Sequence, residues 1–503
     1  MTTPAEPREV AVDGPVVSGT GAVLASRPVL ALFGLALLVG VAELAPGLEA
    51  LRVLSPRPGA AAPVATPPHE ATSLAVGEAV LPQETTQRAE LAQPEHAEAP
   101  GAARGPIGGR REEGPKIDAE KPPVPIVDAG HRGLGGFYRA LERTIAGQPG
   151  AVTRVVHFGD SIITSDFVSG TLRRKLQARF GDAGHGFMLL ANPWPAYFHN
   201  DVTRFASAGW AVSRIVGPRA ADGLYGLGGV TFTAPPGSRA RFGTAREGRY
   251  GRAVSRFVLA YLARPGGGKL RLLVDGQERE ILDTAGPEPR VAYHTIGVPD
   301  GPHELEVVTI SGATRAFGVV MEREGPGVVL DAIGVQGARV RFLDEQDDAH
   351  WADQLRWRQP ALLAYQFGAN ESGDGFVYPM ADYNRTLQAV LRQGREAVPD
   401  AGCLVIGAMD RVEKRGESLT TLPVIPALVE EQRRGAAAVG CAFFDTYAAM
   451  GGSGSMATWV GRGLGQADLT HPTGAGSEVL ASWIERALLD GLERWRAAGA
   501  PAP

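Results

Sequence analysis

The stretch VTRVVHFGDS, Val152 to Ser161, constrains the fold more than any other part of the chain. Val155, Val156 and Phe158 make a β-branched and aromatic run, the pattern of a strand buried on both faces of a parallel sheet. Gly159 lets the backbone turn tightly, so Asp160 and Ser161 emerge at the carboxyl end of that strand, where open α/β sheets place their sites. Asp166 is then placed as an N-cap for a helix in which Phe167, Val168, Leu172, Leu176 and Phe180 recur at helical spacing. A serine at such a turn either satisfies local backbone groups or offers its hydroxyl to chemistry, and the turn alone does not choose.

Around this unit the chain alternates between strand and helix, with one long interruption. Leu134, Phe137, Tyr138, Leu141 and Ile145 share one face of a helix that leads into the strand and packs on the sheet. From Gly184 to about Gly325 the chain is glycine-rich and carries short period-two segments: WAVSRIVG, GVTFTAP, RAVSRFVLAYLAR, KLRLLVDG, PHELEVVTI and RAFGVVMERE. Asp275-Gly276 is a hairpin turn. These features predict an antiparallel β-sandwich inserted over 191–326, either a structural elaboration or a binding module for an extended ligand such as a glycan. The alternation resumes with GVVLDAIGVQGA and a helix through His350, Leu355 and Trp357. It continues through ALLAYQFG, a helix over Pro379–Arg395, CLVIGAMD, a helix over Pro423–Val439, CAFFDTYAAM and a last helix over Gly474–Ala497. Five buried strands with helices between them predict a three-layer, flavodoxin-like parallel sheet built from 128–190 and 327–498.

The N-terminal part reads differently. Residues 1–27 are a polar tail, and 28–45 contain the uncharged run PVLALFGLALLVGVA, a membrane anchor or signal segment somewhat short of a full span of about 17 to 25 residues. Residues 46–125 are rich in Ala, Pro, Glu and Thr without apolar periodicity, the composition of a disordered linker. A net charge of -5 with interspersed signs excludes nucleic acid as a bulk partner. The two cysteines, Cys403 and Cys441, each head an apolar run, which favours buried free thiols over a disulfide. The ten histidines are dispersed, with no ligand spacing among His157, His185 and His199 and no phosphate-loop signature, so neither metal nor cofactor is expected.

Four separated motifs then occur in a recognisable order: Gly159-Asp160-Ser161, VQGA containing Gly337, Gly368-Ala369-Asn370-Glu371, and Asp468-Leu469-Thr470-His471. In these the chain resembles the SGNH (GDSL-type) hydrolase superfamily, with Glu371 standing where an aspartate is usual. The resemblance implies Ser161 as nucleophile, His471 as general base and Asp468 as its orienting acid. It implies the amides of Ser161 and Gly337 and the side chain of Asn370 as oxyanion donors.

The inserted β region and the tether further resemble bacterial cell-wall O-acetylesterases, which implies a serine esterase acting on an acetylated polysaccharide, peptidoglycan in particular. The layout places it in the bacterial cell envelope, anchored in the inner membrane with the catalytic part outside the cytoplasm, or secreted. An O-acetyltransferase using the same triad and a non-catalytic glycan-binding envelope protein are the alternatives. Trp194, Tyr197 and Phe198 are either a sugar-stacking surface or a domain seam. Asp160, Asp410, Arg411 and, in the loop with Ser453 and Ser455, Trp459 are further candidate substrate contacts, with a surface ion pair the alternative for Asp410 and Arg411. The oligomeric state has no signature.

Overall fold

The computed structural model describes residue 118, residues 122–195 and residues 197–499. The expected tail, membrane segment and nearly all of the expected linker lie outside the described residues. Among the described residues no helix is long and apolar enough to cross a membrane.

Helix α1 (Gly135–Ile145) buries Phe137, Tyr138 and Leu141, while Ile145, expected on the same face, ends exposed at the last turn. Strand β1 (Val152–Gly159) is followed by a single turn, α2 (Ser161–Thr164), and by α3 (Phe167–Phe180), which buries Val168, Leu172 and Leu176. Asp166 does not cap α3 as expected. It is left-handed at φ 52 with no side-chain cap bond. Its carboxylate instead takes two bonds from Arg173, at 3.1 and 2.8 Å, and one from the Asn200 amide at 2.9 Å.

The all-β insertion contains β2 (Gly186–Leu189), β3 (Val202–Ala206), β4 (Ala211–Arg214), β5 (Val230–Thr233), β6 (Arg239–Thr244) and β7 (Val254–Ala263). It continues with β8 (Lys269–Val274), β9 (Gln277–Asp283), β10 (Arg290–Gly301), β11 (Glu304–Ser311) and β12 (Arg315–Glu322). One sheet has the order β10-β7-β12-β5-β4 with β2 on β12; the other runs β3-β6-β11-β8-β9. Leu270, Leu272 and Val274 alternate inward along β8, and the buried side chains of both sheets join one apolar cluster. Because β2 already pairs with β12, the insertion begins before residue 191. Asp275 and Gly276 both take positive φ between β8 and β9, as a two-residue hairpin requires.

The remaining elements are β13 (Gly327–Gly334), α4 (Asp348–Arg358), β14 (Leu362–Gln366), α5 (Ala369–Asp374), α6 (Met380–Ala397), β15 (Gly402–Ile406), the hairpin β16 (Val412–Arg415) and β17 (Ser418–Thr421), and α7 (Val424–Val439). After them come β18 (Ala442–Phe444), α8 (Thr446–Met450), α9 (Ser455–Gly461) and α10 (Gly474–Ala497). The five-stranded sheet has the order β13-β1-β14-β15-β18, parallel throughout. Its two faces are served by neighbouring residues of β1. Val155 joins the cluster that holds Phe137, Leu172 and, on α10, Ile484, whereas Val156 and Phe158 join the one that holds Trp351, Leu387 and Leu428. This is the three-layer sandwich expected from the strand pattern.

Two features tie the molecule together. Glu322 on β12 accepts from Arg154 on β1 at 2.8 Å, from Arg358 on α4 at 2.5 Å and from Arg256 on β7, and Arg358 also bonds Asp331 on β13. Burial would raise the Glu322 carboxyl, but Arg358 and Arg154 hold it well below its ordinary value. The second is a disulfide between Cys403 and Cys441, which overturns the expectation of free thiols. β15 and β18 are adjacent and in register at Leu404 and Ala442, so the two cysteines just before those residues face one another.

Candidate active site

Gly159 ends β1 under extreme crowding: a Cβ there would lie 2.4 Å from Ile163 Cγ1 and 2.8 Å from the Gln366 carbonyl oxygen. Its absence lets α2 fold directly over the strand end. Asp160 caps that turn, its Oδ1 accepting from the Ile162 amide at 3.0 Å. Ser161 is therefore the first helical residue, and amides in a first turn have no acceptor within their own helix.

Opposite Ser161 stands the loop before α10. Ser161 Oγ is 2.7 Å from His471 Nε2, and His471 Nδ1 is 2.6 Å from Asp468 Oδ2. Asp468 Oδ1 also accepts from the amides of Thr470 and His471, each at 3.0 Å. Partial burial raises this carboxyl, yet the bonds from the His471 amide, the imidazole and the Thr470 amide bring it below its ordinary value. Leu469 is left-handed at φ 61, and Thr473 bonds the Gly463 carbonyl at 2.7 Å, which fixes the loop at its far end.

The loops after β13 and β14 are laced together. Gly337 has φ 80 with nothing near a would-be Cβ, so its conformation, not space, calls for glycine. Asn370 Nδ2 donates to the Ala338 carbonyl at 2.9 Å, which leaves the second amide hydrogen for another acceptor. Glu371 Oε1 accepts from the Val340 amide at 2.8 Å, and Arg339 forms a two-bond pair with Asp374, both at 2.5 Å. The structure thus brings Gly337 and Asn370 into one loop pair, and Ser161, His471 and Asp468 into one hydrogen-bonded line.

Two buried carboxyls lie beneath this surface. Burial pushes Asp160 up to about 6 against the pull of the Ile162 amide and His471. Burial, with the Asp160 charge adding to it, pushes Glu371 up to about 7. Asp160 is accordingly a cap inside the fold and not a substrate contact. Most of the other candidate contacts are interior as well, which corrects the sequence expectation. Trp194 and Tyr197 are buried, with the Tyr197 hydroxyl accepting from the Leu189 amide at 2.7 Å and Arg204 lying 4.6 Å over its ring. Asp410 is fully buried and accepts from Thr421 Oγ1 at 2.8 Å and the Met456 amide at 2.9 Å. Trp459 packs edge-on against Trp483 in the core. Arg411 is half-buried and bonds the Ala369 carbonyl at 2.9 Å and Ser372 Oγ at 3.2 Å, bracing the loop that carries Asn370. From the aromatic stretch, Phe198 alone is exposed, its amide bonded to the Thr164 carbonyl at 3.4 Å.

Sequence reasoning missed the hairpin β16–β17. It rises beside the site, rooted by the Val412 amide on the Leu469 carbonyl at 3.3 Å. The alternation VEKR-GE-SLTT around Gly416 was the available signal. A cavity of about 10 Å³ is lined by Ile162, Ala369, Ala408, Met409 and Thr470, among others. Three of these are chain neighbours of Ser161, Asn370 and His471.

Among the described residues Asp166, His185 and His199 also converge, with potential ligand atoms within 4.8 Å of one another. The two imidazoles hydrogen-bond each other at 2.9 Å and His199 bonds the Tyr197 hydroxyl at 2.8 Å, while Asp166 is committed to Arg173. Burial, with the charges of Arg173 and Arg204, lowers both histidines below their ordinary value, so the two imidazoles act as a neutral internal pair. His157 is likewise internal, bonded to Gln366 at 3.1 Å, and burial lowers it to about 4.

The site holds a serine, a histidine and an aspartate in one hydrogen-bonded line, the arrangement that nucleophilic acyl transfer needs. Residues 295–479 match the model of the GDSL-like lipase/acylhydrolase family. A solved peptidoglycan O-acetylesterase is similar over 73% of this chain and 99% of its own, with 22% identity and a TM-score of 0.63, so the two share the fold. A family two carbohydrate esterase from Cellvibrio japonicus matches with 13% identity and a TM-score of 0.24, over 58% of this chain and 98% of its own. A lipase/acylhydrolase from Enterococcus faecalis matches with 18% identity and a TM-score of 0.24, over 33% of this chain and 77% of its own. No curated protein matches the chain in sequence.

Proposed function

We propose that this protein is a carbohydrate O-acetylesterase that removes acetyl groups from peptidoglycan through an acyl-enzyme on Ser161. The observation that carries the reading is the unbroken line from Ser161 Oγ to His471 to Asp468, at 2.7 and 2.6 Å. In this reading His471 takes the hydroxyl proton as Ser161 attacks the acetyl carbonyl, then returns it to the departing sugar oxygen. Asp468 holds the imidazole with Nε2 toward the serine and stabilises its charged form. The amides of Ser161 and Gly337 and the free hydrogen of Asn370 receive the oxyanion. Water, activated by His471, releases acetate.

A glycan of the cell wall is supported by the fold shared with a peptidoglycan O-acetylesterase. A position outside the cytoplasm is supported by the disulfide Cys403–Cys441, since such bonds persist in oxidising compartments. The test is acetate release from O-acetylated peptidoglycan by the wild type and by Ser161→Ala, with a neutral acetylated glucomannan alongside. Ser161-dependent release that is faster on peptidoglycan is expected. Equal or faster release on glucomannan would remove the peptidoglycan assignment.

A further inference from the structure

The outer rim of the two laced loops has chemistry that the triad does not use. Arg341 stands there, in the short 3-10 segment Val340–Glu345. Its guanidinium carbon lies 5.3 Å from the ring centroid of Phe342 and 5.3 Å from that of Tyr378. Its neighbour Arg339 is neutralised by Asp374, and Arg219 from the insertion, over the same Phe342 ring at 5.9 Å, is paired with Glu345. Asp374 also feels the Arg341 charge, but its two oxygens are taken by Arg339. Arg341 itself has no carboxylate within ion-pair distance among the described residues. It is a half-buried cation whose position is fixed by aromatic faces and whose charge is not cancelled at close range.

Its place relative to the site follows from the lacing. Arg341 is four residues from Gly337, a reach of at most about 14 Å even for extended chain. The bonds of Ala338, Arg339 and Val340 to Asn370, Asp374 and Glu371 hold the segment against the loop that carries Asn370. Beyond Asp374 the same rim exposes Phe376 and Val377, 58% and 91% accessible. A fixed guanidinium among aromatic and apolar surfaces suits a sugar that carries a carboxylate: the ring's apolar face meets the side chains and the acid meets the planar donor fork.

We propose that Arg341 is a specificity-determining residue that binds a carboxylate of the glycan substrate while its acetyl ester lies at Ser161. The proposal rests on the esterase reading and narrows it to acidic glycans, such as peptidoglycan with its stem-peptide carboxylates, over neutral ones.

The test compares wild type, Arg341→Gln and Arg341→Lys on soluble O-acetylated peptidoglycan fragments, neutral acetylated glucomannan and p-nitrophenyl acetate. Loss of one charge-assisted contact is expected to raise KM on the peptidoglycan fragments about tenfold in Arg341→Gln, with kcat little changed and part of the loss restored in Arg341→Lys. The two neutral substrates should stay within about twofold, since they lack the acid. An unchanged KM on the fragments overturns the proposal. So does a parallel loss on all three substrates, which would make Arg341 a support for the oxyanion loops. Ser161→Ala is run on each substrate: if it leaves every rate intact, the esterase reading itself falls and this one with it.

Discussion

Ser161 and His471 are 310 residues apart in sequence, and their 2.7 Å approach depends on side chains that do no chemistry. Asn370 shows how closely structure and proposed mechanism are joined, because one of its amide hydrogens laces two loops and the other is left for the oxyanion. Asn370→Ala is expected to lower kcat on p-nitrophenyl acetate by about 10²–10³, with KM changing far less; a loss of under about threefold would remove it from the oxyanion site. Glu371 bears on stability instead. Its folded carboxyl is raised from 4.5 to about 7, so between those values the unfolded chain ionises while the folded one stays protonated. The unfolded state then binds fewer protons and stability falls as pH rises, by roughly 3 kcal/mol over the window, levelling off above it. Asp160 acts in the same direction over a lower window, from 3.8 to about 6. Glu371→Gln should therefore gain on the wild type between pH 5 and pH 8 in urea unfolding. A difference between the two that does not vary with pH would contradict the buried neutral acid. The triad and Asn370 were legible in sequence because their motifs fix residue type and spacing together. The contacts inferred from Asp160, Trp194, Tyr197, Asp410 and Trp459 were not, since aromatic or acidic character near a strand end does not say whether the side chain turns to solvent or into the fold.

At the scale of elements, the parallel strands were readable because each is apolar along its whole length, as burial on both faces demands. The insertion was only partly readable. β8 alternates cleanly, whereas β9, largely exposed and polar, carries no apolar rhythm to detect. The cysteine pairing was hidden for a related reason: strand adjacency, which the 38-residue spacing does not reveal, puts the two residues side by side. The joint between insertion and sheet depends on Glu322, whose removal leaves Arg358 buried with one fewer anion. Glu322→Ala is expected to cost about 3–5 kcal/mol in urea unfolding followed by tryptophan fluorescence, and a change below about 1 kcal/mol would show that the network is dispensable. The Glu322 contribution is present above the unfolded carboxyl's value of 4.5 and fades as pH falls toward its depressed folded value, so the variant's deficit should shrink in acid.

For the molecule as a whole, the design is one α/β sheet whose chain leaves after α3, the helix that follows the Ser161 turn, builds a β-sandwich and returns to complete the site. That layout was legible from the break in strand-helix alternation, while the geometry of the return was not. It puts Arg219 of the insertion over Phe342, beside the loops that carry Gly337 and Asn370, so the insertion contributes to the rim of the candidate site. The proposed division of labour follows: the split sheet supplies the nucleophile, base and oxyanion donors, and the rim around Arg341 selects the glycan. Everything in that scheme requires Ser161 to carry the acyl group. The most direct measurement is kcat/KM for acetate release from O-acetylated peptidoglycan by the wild type and by Ser161→Ala. A fall of about 10³-fold or more is expected in the folded variant; release at the wild-type rate by Ser161→Ala would contradict the assignment.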